Sequence, residues 1–230
     1  MQIRRVTAPV RQQVEDAIRH EILEGQLLSG QRLIERELCD KLGVSRPLIR
    51  EVLRQLEAER LVTSERHGGM RVASIGIEEA RQLYDVRSLL EPFAASQFVI
   101  NATEEEHQLL KKMAEQIEEA VRSEKCVLAI QMKNKFYRIL VAGSGHSVLE
   151  QTARGLQNRV QLLRGISMSE PGRLKHTAGE IRLIADAISN GNAAEAKKAC
   201  KDHLERARAI TLEALARRGH ETVNLAIAND

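Results

Sequence analysis

Three arginines recur at intervals of four in the segment GVSRPLIREVLRQLEAERLV, at positions 46, 50 and 54. Positions four apart drift by only about 40° around an α-helix, so Arg46, Arg50 and Arg54 predict a single stripe of guanidinium groups. The planar guanidinium fork matches the O6 and N7 atoms of guanine in the major groove, or a phosphate. Charged stripes also solvate ordinary amphipathic helices, so the spacing alone leaves nucleic-acid binding and simple solvation both open.

The residues around the stripe predict how its helix is held. Gly43 suits a tight turn, and Ser45 is expected to cap the helix by accepting a hydrogen bond from the unpaired amides of the first turn. Pro47 falls within that turn, where its missing N–H costs little. Apolar residues follow helical spacing on the opposite flank: Ile49, Val52, Leu53 and Leu56. The helix is therefore expected to pack on its neighbours through this flank and to present its arginines outward.

Further elements complete a small N-terminal unit. Two earlier helices and two short β-like runs are predicted at residues 10–24, 34–42, 61–64 and 70–73. The glycine-bearing segment between the two runs, with His67 and Gly68, predicts a hairpin tip that could approach the minor groove or a phosphate. Three helices and a hairpin predict a winged helix-turn-helix over residues 1–74. This unit has 13 Lys+Arg against 11 Asp+Glu, so any basic surface must be local.

The remainder of the chain is predicted to be helical throughout. Six segments with helical periodicity lie at about residues 77–100, 103–123, 126–142, 147–165, 173–189 and 192–217. Aromatic residues make up 2% of the chain and Trp is absent, so the core must consist of aliphatic side chains, which suits packed helices. The predicted fold is mainly α, with a winged helix-turn-helix followed by an all-α six-helix bundle over residues 75–230.

The sequence also argues against several other classes of protein. Three widely spaced cysteines without a CxxC pair indicate neither a zinc clip nor a disulfide framework. No apolar run approaches the roughly 18 residues of a membrane span, and the N-terminus lacks a signal-peptide core, so we expect a cytoplasmic protein without a membrane partner. No GxSxG elbow, phosphate-binding loop, HExxH or paired-carboxylate motif is present, so an enzyme is not predicted.

A resemblance to a known family extends the interpretation of the N-terminal unit. The segment ERELCDKLGVSRPLIREVLRQLEAERLVTSERHGGMRV resembles the DNA-binding signature of the GntR family of bacterial transcription regulators, and LLSGQRLIE resembles its lead-in. The resemblance implies that operator DNA is contacted by a second-helix arginine, two recognition-helix arginines and the wing tip, which are here Arg36, Arg46, Arg50, His67 and Gly68.

Two more residues of the recognition helix are included as DNA-binding candidates. Arg54 lies deeper in the helix, where contact with a phosphate is expected, and Ser45 lies at its start. One departure from the family pattern is notable. Pro47 and Leu48 replace the usual small polar residue and proline, which removes a hydroxyl that could hold a phosphate.

The helical half carries its own resemblance. VRSLLEPFAAS resembles the start of the effector domain in the FadR-like branch of the family, and two later segments, FYRIL and EIRLIADAISNGNAAEAKKACKDHL, match as well. The resemblance implies an all-α, FCD-type domain that binds a ligand and forms a homodimer. The expected function is that of a dimeric, ligand-responsive repressor on a palindromic operator. A constitutive DNA-binding regulator whose helical half only dimerises is the alternative.

Many relatives hold a metal ion in this bundle with an Asp and a His four residues apart, a later His, and a last His 22 residues further on. The corresponding positions here are Lys133, Tyr137, Ile181 and His203. Only His203 is a metal ligand, because a charged ammonium has no lone pair and isoleucine has no ligating atom. No metal or other cofactor is therefore predicted.

The same comparison suggests an effector site. Arg87 occupies the position of the family's inward arginine, and Lys133, if it points inward, places a positive charge where relatives keep a cation. Tyr137 and His203 could add hydrogen bonds. We therefore expect a small anionic effector, a carboxylate, held by these four residues. Two alternatives stay open, namely that Lys133 reaches solvent along its alkyl stem and that His203 is a hydrogen-bonded core imidazole.

Overall fold

The structure is a computed structural model that describes residues 8–23, 26–65 and 69–227. The chain divides into two compact units, residues 1–75 and 76–230. No helix among the described residues is both long and apolar enough to cross a lipid bilayer.

In its described residues, the first unit combines three helices with a small antiparallel sheet. Its elements are α1 (Ala8–Leu23), β1 (Arg32–Leu33), α2 (Glu35–Leu42), α3 (Arg46–Ala58), β2 (Val62–Ser64) and β3 (Met70–Val72). The strands lie in the order β1-β3-β2, so β3 pairs with both neighbours. The predicted helices and the β2–β3 pair are confirmed. Strand β1 was not predicted, because two residues are too few to show a strand periodicity.

The core of the first unit forms where α1 packs against α3. The two helices contact each other, and five apolar side chains on them are buried: Val14 and Ile18 of α1, and Ile49, Leu53 and Leu56 of α3. Burial of these side chains fixes the orientation of α3, because a helix that buries one flank must present the other. The arginine stripe is thereby placed on the surface.

As predicted, the described residues of the second unit form a bundle of six helices. They are α4 (Ile77–Asn101), α5 (Glu104–Arg122), α6 (Cys126–Ala142), α7 (Ser147–Met168), α8 (Arg173–Ser189) and α9 (Ala193–Ile227). Helix α9 extends ten residues beyond its predicted end. Helix α4 packs along α9, where the hydroxyl groups of Tyr84 and Thr211 are 2.8 Å apart in the interior. The helices leave between them the cavity described below.

Candidate DNA-binding surface and effector cavity

The recognition helix α3 presents its first two arginines to solvent. The side chains of Arg46 and Arg50 are 65% and 57% exposed. Four apolar residues on the opposite flank are fully buried: Ile49, Val52, Leu53 and Leu56. Gly43, in the turn before the helix, has φ of 66°, a left-handed conformation that favours glycine. The turn at Gly43 and the buried flank of α3 together place the guanidinium groups of Arg46 and Arg50 on the surface.

The carboxylate of Glu35 on α2 lies between these two arginines. Arg46 Nε donates to Glu35 at 2.6 Å, and Arg50 Nε donates to it at 2.9 Å. These hydrogen bonds hold the pKa of Glu35 below its usual value, so the carboxylate stays ionised. Only the Nε atoms are used in these contacts, so the terminal NH2 groups remain able to fork onto a base edge or a phosphate. Glu35 was not predicted from the sequence.

The other predicted DNA-binding residues are placed with different results. Arg36 on α2 and Arg54 on α3 are both exposed. Ser45 occupies the predicted N-cap position. Its side chain makes no capping hydrogen bond, so the predicted bond to the amides of the first turn was wrong. Pro47 explains the failure in part, because it removes one of the two amides that a cap hydroxyl normally reaches. His67 and Gly68 lie outside the described residues.

In the second unit, α4, α6 and α7 enclose a cavity of about 390 Å³. Its buried end is lined by Arg87, Glu91, Asn134, Tyr137 and Arg164. Arg87 makes two hydrogen bonds to Glu91, at 2.8 and 3.2 Å, and Arg164 Nη2 donates to the same carboxylate at 3.3 Å. Arg164 Nη1 donates to Asn134 Oδ1 at 3.1 Å. A single carboxylate thus serves two buried guanidinium groups.

Several donors at this buried end have no acceptor in the part of the chain that the structure describes. Arg87 Nη1 and Arg164 Nε are buried and make no hydrogen bond to any described residue. The hydroxyl of Tyr137 has no oxygen or nitrogen partner among those residues and lies beside the Cys200 thiol, a weak one. Buried polar groups are almost always hydrogen-bonded, so unpaired donors that line a cavity indicate a place for an acceptor.

Lys133 and His203 are buried next to the cavity and are not part of its lining. Lys133 is 1% exposed, which rules out the alternative that it reaches solvent. Burial and the charges of Arg164 and Arg87 lower the pKa of Lys133 well below its usual value. Burial and Lys133 lower the pKa of His203 to about 3, against the opposing effect of its hydrogen bond to Glu180. His203 is therefore neutral near pH 7.

Glu180 on α8 is the centre of this second buried cluster. It accepts two hydrogen bonds from Arg173, at 2.8 and 2.6 Å, and its Oε2 lies 2.5 Å from His203 Nδ1. Burial would raise the pKa of Glu180, but the hydrogen bonds from His203 and Arg173 hold it well below its usual value. His203 Nε2 has no partner among the described residues. The alternative that His203 is a hydrogen-bonded core imidazole therefore holds for Nδ1 and not for Nε2.

The buried carboxylates and two of the arginines were not identified from the sequence. They are Glu91, Arg164, Arg173 and Glu180. One signal was present, because Glu91 follows Arg87 by four residues on a helix, a spacing at which the two side chains meet. Of the four predicted effector residues, the structure brings Arg87 and Tyr137 together on the cavity wall.

The buried residues do not fit a divalent metal ion. The four positions that correspond to the relatives' ligands, Lys133, Tyr137, Ile181 and His203, are all buried, and Lys133 sits among guanidinium groups that would repel a cation. Among the described residues, no group of three or more His, Cys, Asp or Glu is arranged to hold a metal. The chemistry of these side chains supports the prediction that no metal is bound, which stays a prediction.

Comparison with known proteins identifies both units. Residues 10–72 match the model of the bacterial regulatory proteins of the gntR family, and residues 82–206 match the model of the FCD domain. An L-lactate dehydrogenase operon regulatory protein of Escherichia coli is 30% identical over 217 residues, with 84% of this chain and 82% of that protein covered.

A second relative and a solved structure agree with these matches. A D-xylose utilization operon transcriptional repressor of Paenarthrobacter nicotinovorans is 27% identical over 195 residues and covers 85% of each chain. The structure of E. coli McbR/YncC superimposes with a TM-score of 0.76 at 20% identity, covering 89% of this chain and 97% of that one, which shows the shared fold. This chain therefore belongs to the GntR family of bacterial transcription regulators, with a DNA-binding winged helix-turn-helix followed by an FCD domain.

Proposed function

We propose that the protein is a homodimeric repressor whose DNA affinity changes when a small carboxylate occupies the cavity of the FCD domain. The observation that carries this proposal is the set of unpaired buried donors, Arg87 Nη1 and Arg164 Nε, on the wall of a 390 Å³ cavity. A carboxylate offers the acceptor oxygens that these groups lack. Relatives named as regulators of L-lactate dehydrogenase and D-xylose utilization operons make control of a metabolic operon the expected role.

Arg46 and Arg50 are proposed to enter the major groove, with Arg36, Arg54 and the wing tip on flanking positions. The helix-turn-helix reads bases with the N-terminal part of its recognition helix, where Arg46 and Arg50 lie. Their exposed terminal NH2 groups suit guanine O6 and N7. A two-fold dimer would set two such helices on half-sites about one helical turn of DNA apart, which makes the operator palindromic.

Homodimerisation is supported by an exposed apolar stripe on α4. Val86, Leu89, Phe93 and Ile100 share one face of the helix and are 38%, 74%, 36% and 66% exposed. A second copy of this stripe is its proposed partner, since isologous dimers pair the same surface on both subunits. Leu89→Asp is expected to give a monomer in light scattering after size exclusion, whereas Leu183→Asp, at another exposed leucine on α8, leaves the dimer intact.

The effector proposal is tested by titrating small carboxylates into the full-length protein bound to a labelled operator. Binding is followed by calorimetry and the DNA complex by fluorescence anisotropy. Wild-type protein is expected to bind a carboxylate and to change its DNA affinity, while Arg87→Gln loses the response and keeps its ligand-free DNA affinity. A response of Arg87→Gln identical to that of wild type would overturn the anchoring role.

One observation favours the constitutive alternative. Glu91 already neutralises part of the charge of Arg87 and Arg164, so the buried cluster can persist without a ligand. A constitutive regulator would bind its operator with the same affinity across the whole carboxylate panel.

A further inference from the structure

The wall of the cavity carries more positive than negative charge. Six ionisable carboxylate and guanidinium side chains line it, namely Arg87, Arg138, Arg154, Arg164, Glu91 and Glu150. Four of these are cations and two are anions, so two positive charges lack a countercharge on the wall. The two surplus charges lie at opposite ends of the cavity.

The buried end keeps one surplus positive charge. Arg87 and Arg164 share the single carboxylate of Glu91, and both guanidinium groups are at most 6% exposed. Their interaction with an added anion is little screened, because water is excluded from this end. Arg87 Nη1 and Arg164 Nε remain as donors without acceptors among the described residues.

The solvent end keeps the other surplus charge. Arg154 Nη2 donates to Glu150 at 2.6 Å, so these two side chains neutralise each other. Arg138 on α6 also lines the cavity, is exposed, and forms no ion pair with a described residue. A free guanidinium group thus stands at the mouth of a cavity whose far end already holds a cationic site.

An apolar segment separates the two ends. It includes Leu156 and Val160, which lie on α7 between Arg154 at the solvent end and Arg164 at the buried end. Asn134 of α6 marks the buried end, because its Oδ1 accepts a hydrogen bond from Arg164 Nη1 at 3.1 Å. Arg138 follows Asn134 by one helical turn, which is a rise of about 6 Å. A ligand that satisfies both ends needs two anionic groups separated by a short aliphatic chain.

We propose that the effector is a short aliphatic dicarboxylate that spans this cavity. One carboxylate lies against Arg87 and Arg164, the methylene groups lie against the apolar segment, and the second carboxylate pairs with Arg138. This inference rests on the proposed function, because it specifies the carboxylate that the cavity binds. A monocarboxylate would leave Arg138 unpaired, and a group of higher negative charge would meet Glu91 and Glu150.

The test compares acids of equal carbon number by calorimetry on the full-length protein. Glutarate is titrated against pentanoate, with the neighbouring diacids succinate and adipate as a length series. We expect the best diacid to bind at least about tenfold more tightly than the monoacid of its length, a difference of about 1.4 kcal/mol. Arg138→Gln is expected to abolish this preference and to leave pentanoate affinity unchanged. Lys135→Gln, an exposed cation on the same helix outside the cavity, is the matched control.

The outcomes separate this inference from the proposed function. If monoacids and diacids bind equally, the dicarboxylate inference is wrong and the carboxylate effector stands. If diacids bind more tightly but Arg138→Gln retains the preference, the assignment of the second carboxylate to Arg138 is wrong. If no acid of either class binds wild-type protein, both proposals fail.

Discussion

Two clusters of arginine and glutamate in this protein use the same ion pair in opposite surroundings. On α3, Arg46 and Arg50 share Glu35 with side chains that are 65%, 57% and 23% exposed. In the helical unit, Arg173 holds Glu180 with side chains that are 2% and 8% exposed. The distances are alike, since the shortest arginine–glutamate contact is 2.6 Å in each cluster. What differs is the access of water.

That difference determines what each cluster can do. An exposed ion pair contributes about 0–1 kcal/mol, so DNA phosphates or base edges can compete with Glu35 for the arginines. Removing one partner of a buried pair costs about 3–5 kcal/mol, because the other charge is left without compensation. The Arg173–Glu180 cluster is therefore part of the fold. In the cavity, a ligand can use only the donors of Arg87 and Arg164 that Glu91 leaves without an acceptor among the described residues.

The largest expected effect comes from breaking the buried cluster. Glu180→Gln leaves Arg173 buried without its carboxylate, so the helical unit is expected to lose about 3–5 kcal/mol of unfolding free energy. Urea unfolding followed by tyrosine fluorescence measures this unit alone, because the chain has two tyrosines, Tyr84 and Tyr137, and no Trp.

The control for that experiment is an exposed pair. Glu119→Gln breaks a contact with Arg122 in which both side chains are more than 60% exposed, and no measurable loss of unfolding free energy is expected, because water screens this pair. Equal losses for the two variants would show that burial does not distinguish the clusters.

Acid should act on the buried cluster through His203. Its pKa is about 3 in the folded protein and about 6.5 when exposed, so below about pH 6.5 the unfolded state binds a proton that the folded state does not. Unfolding is then favoured as pH falls, and stability is lost progressively from about pH 6.5 toward about pH 3. At about pH 5 the expected loss from this residue is about 2 kcal/mol. The same tyrosine signal follows it, and an identical pH dependence in His203→Gln would contradict the assignment.

Substitutions in the exposed cluster are expected to change DNA binding and to leave the free energy of unfolding unchanged. Arg46→Ala should lose about 1–3 kcal/mol of discrimination between operator and unrelated duplex, because a guanine contact disappears. Anisotropy titrations with an operator selected from a random duplex pool measure this ratio at several salt concentrations. Arg122→Ala, which removes an exposed arginine of the helical unit, should leave the ratio unchanged. An unaltered ratio in Arg46→Ala would remove this residue from the groove.

The smallest effect is expected at Glu35, which orients the two guanidinium groups. Glu35→Gln should lower the operator preference by less than about tenfold, since one exposed hydrogen-bonded charge contributes about 1 kcal/mol or less. Affinity for unrelated DNA should rise, because a negative charge near the phosphates is removed. A fall in both affinities together would instead indicate that the variant disturbs the fold of the helix-turn-helix.

The exposed cluster was largely predictable from the sequence, and the buried charges of the helical unit were not. Helical spacing alone separated the buried flank of α3 from its arginines, because both are local features. Strand β1, with two residues, was too short to show a periodicity. Glu91 and Arg164 are 73 positions apart, and no local pattern indicates that two such charges meet inside a bundle. The resemblance led to Arg87 because the family has an arginine at the corresponding position. It gave no information on Glu91 and Arg164, with which Arg87 forms its buried cluster.

The most direct test is to measure both operator binding and carboxylate binding for each of two variants, Arg46→Ala and Arg87→Gln. We predict that Arg46→Ala loses operator discrimination and keeps wild-type carboxylate affinity, while Arg87→Gln loses carboxylate affinity and keeps ligand-free operator binding. If Arg87→Gln binds carboxylates like wild type, or if Arg46→Ala binds the operator like wild type, the division between an exposed site for DNA and a buried site for a small anion is contradicted.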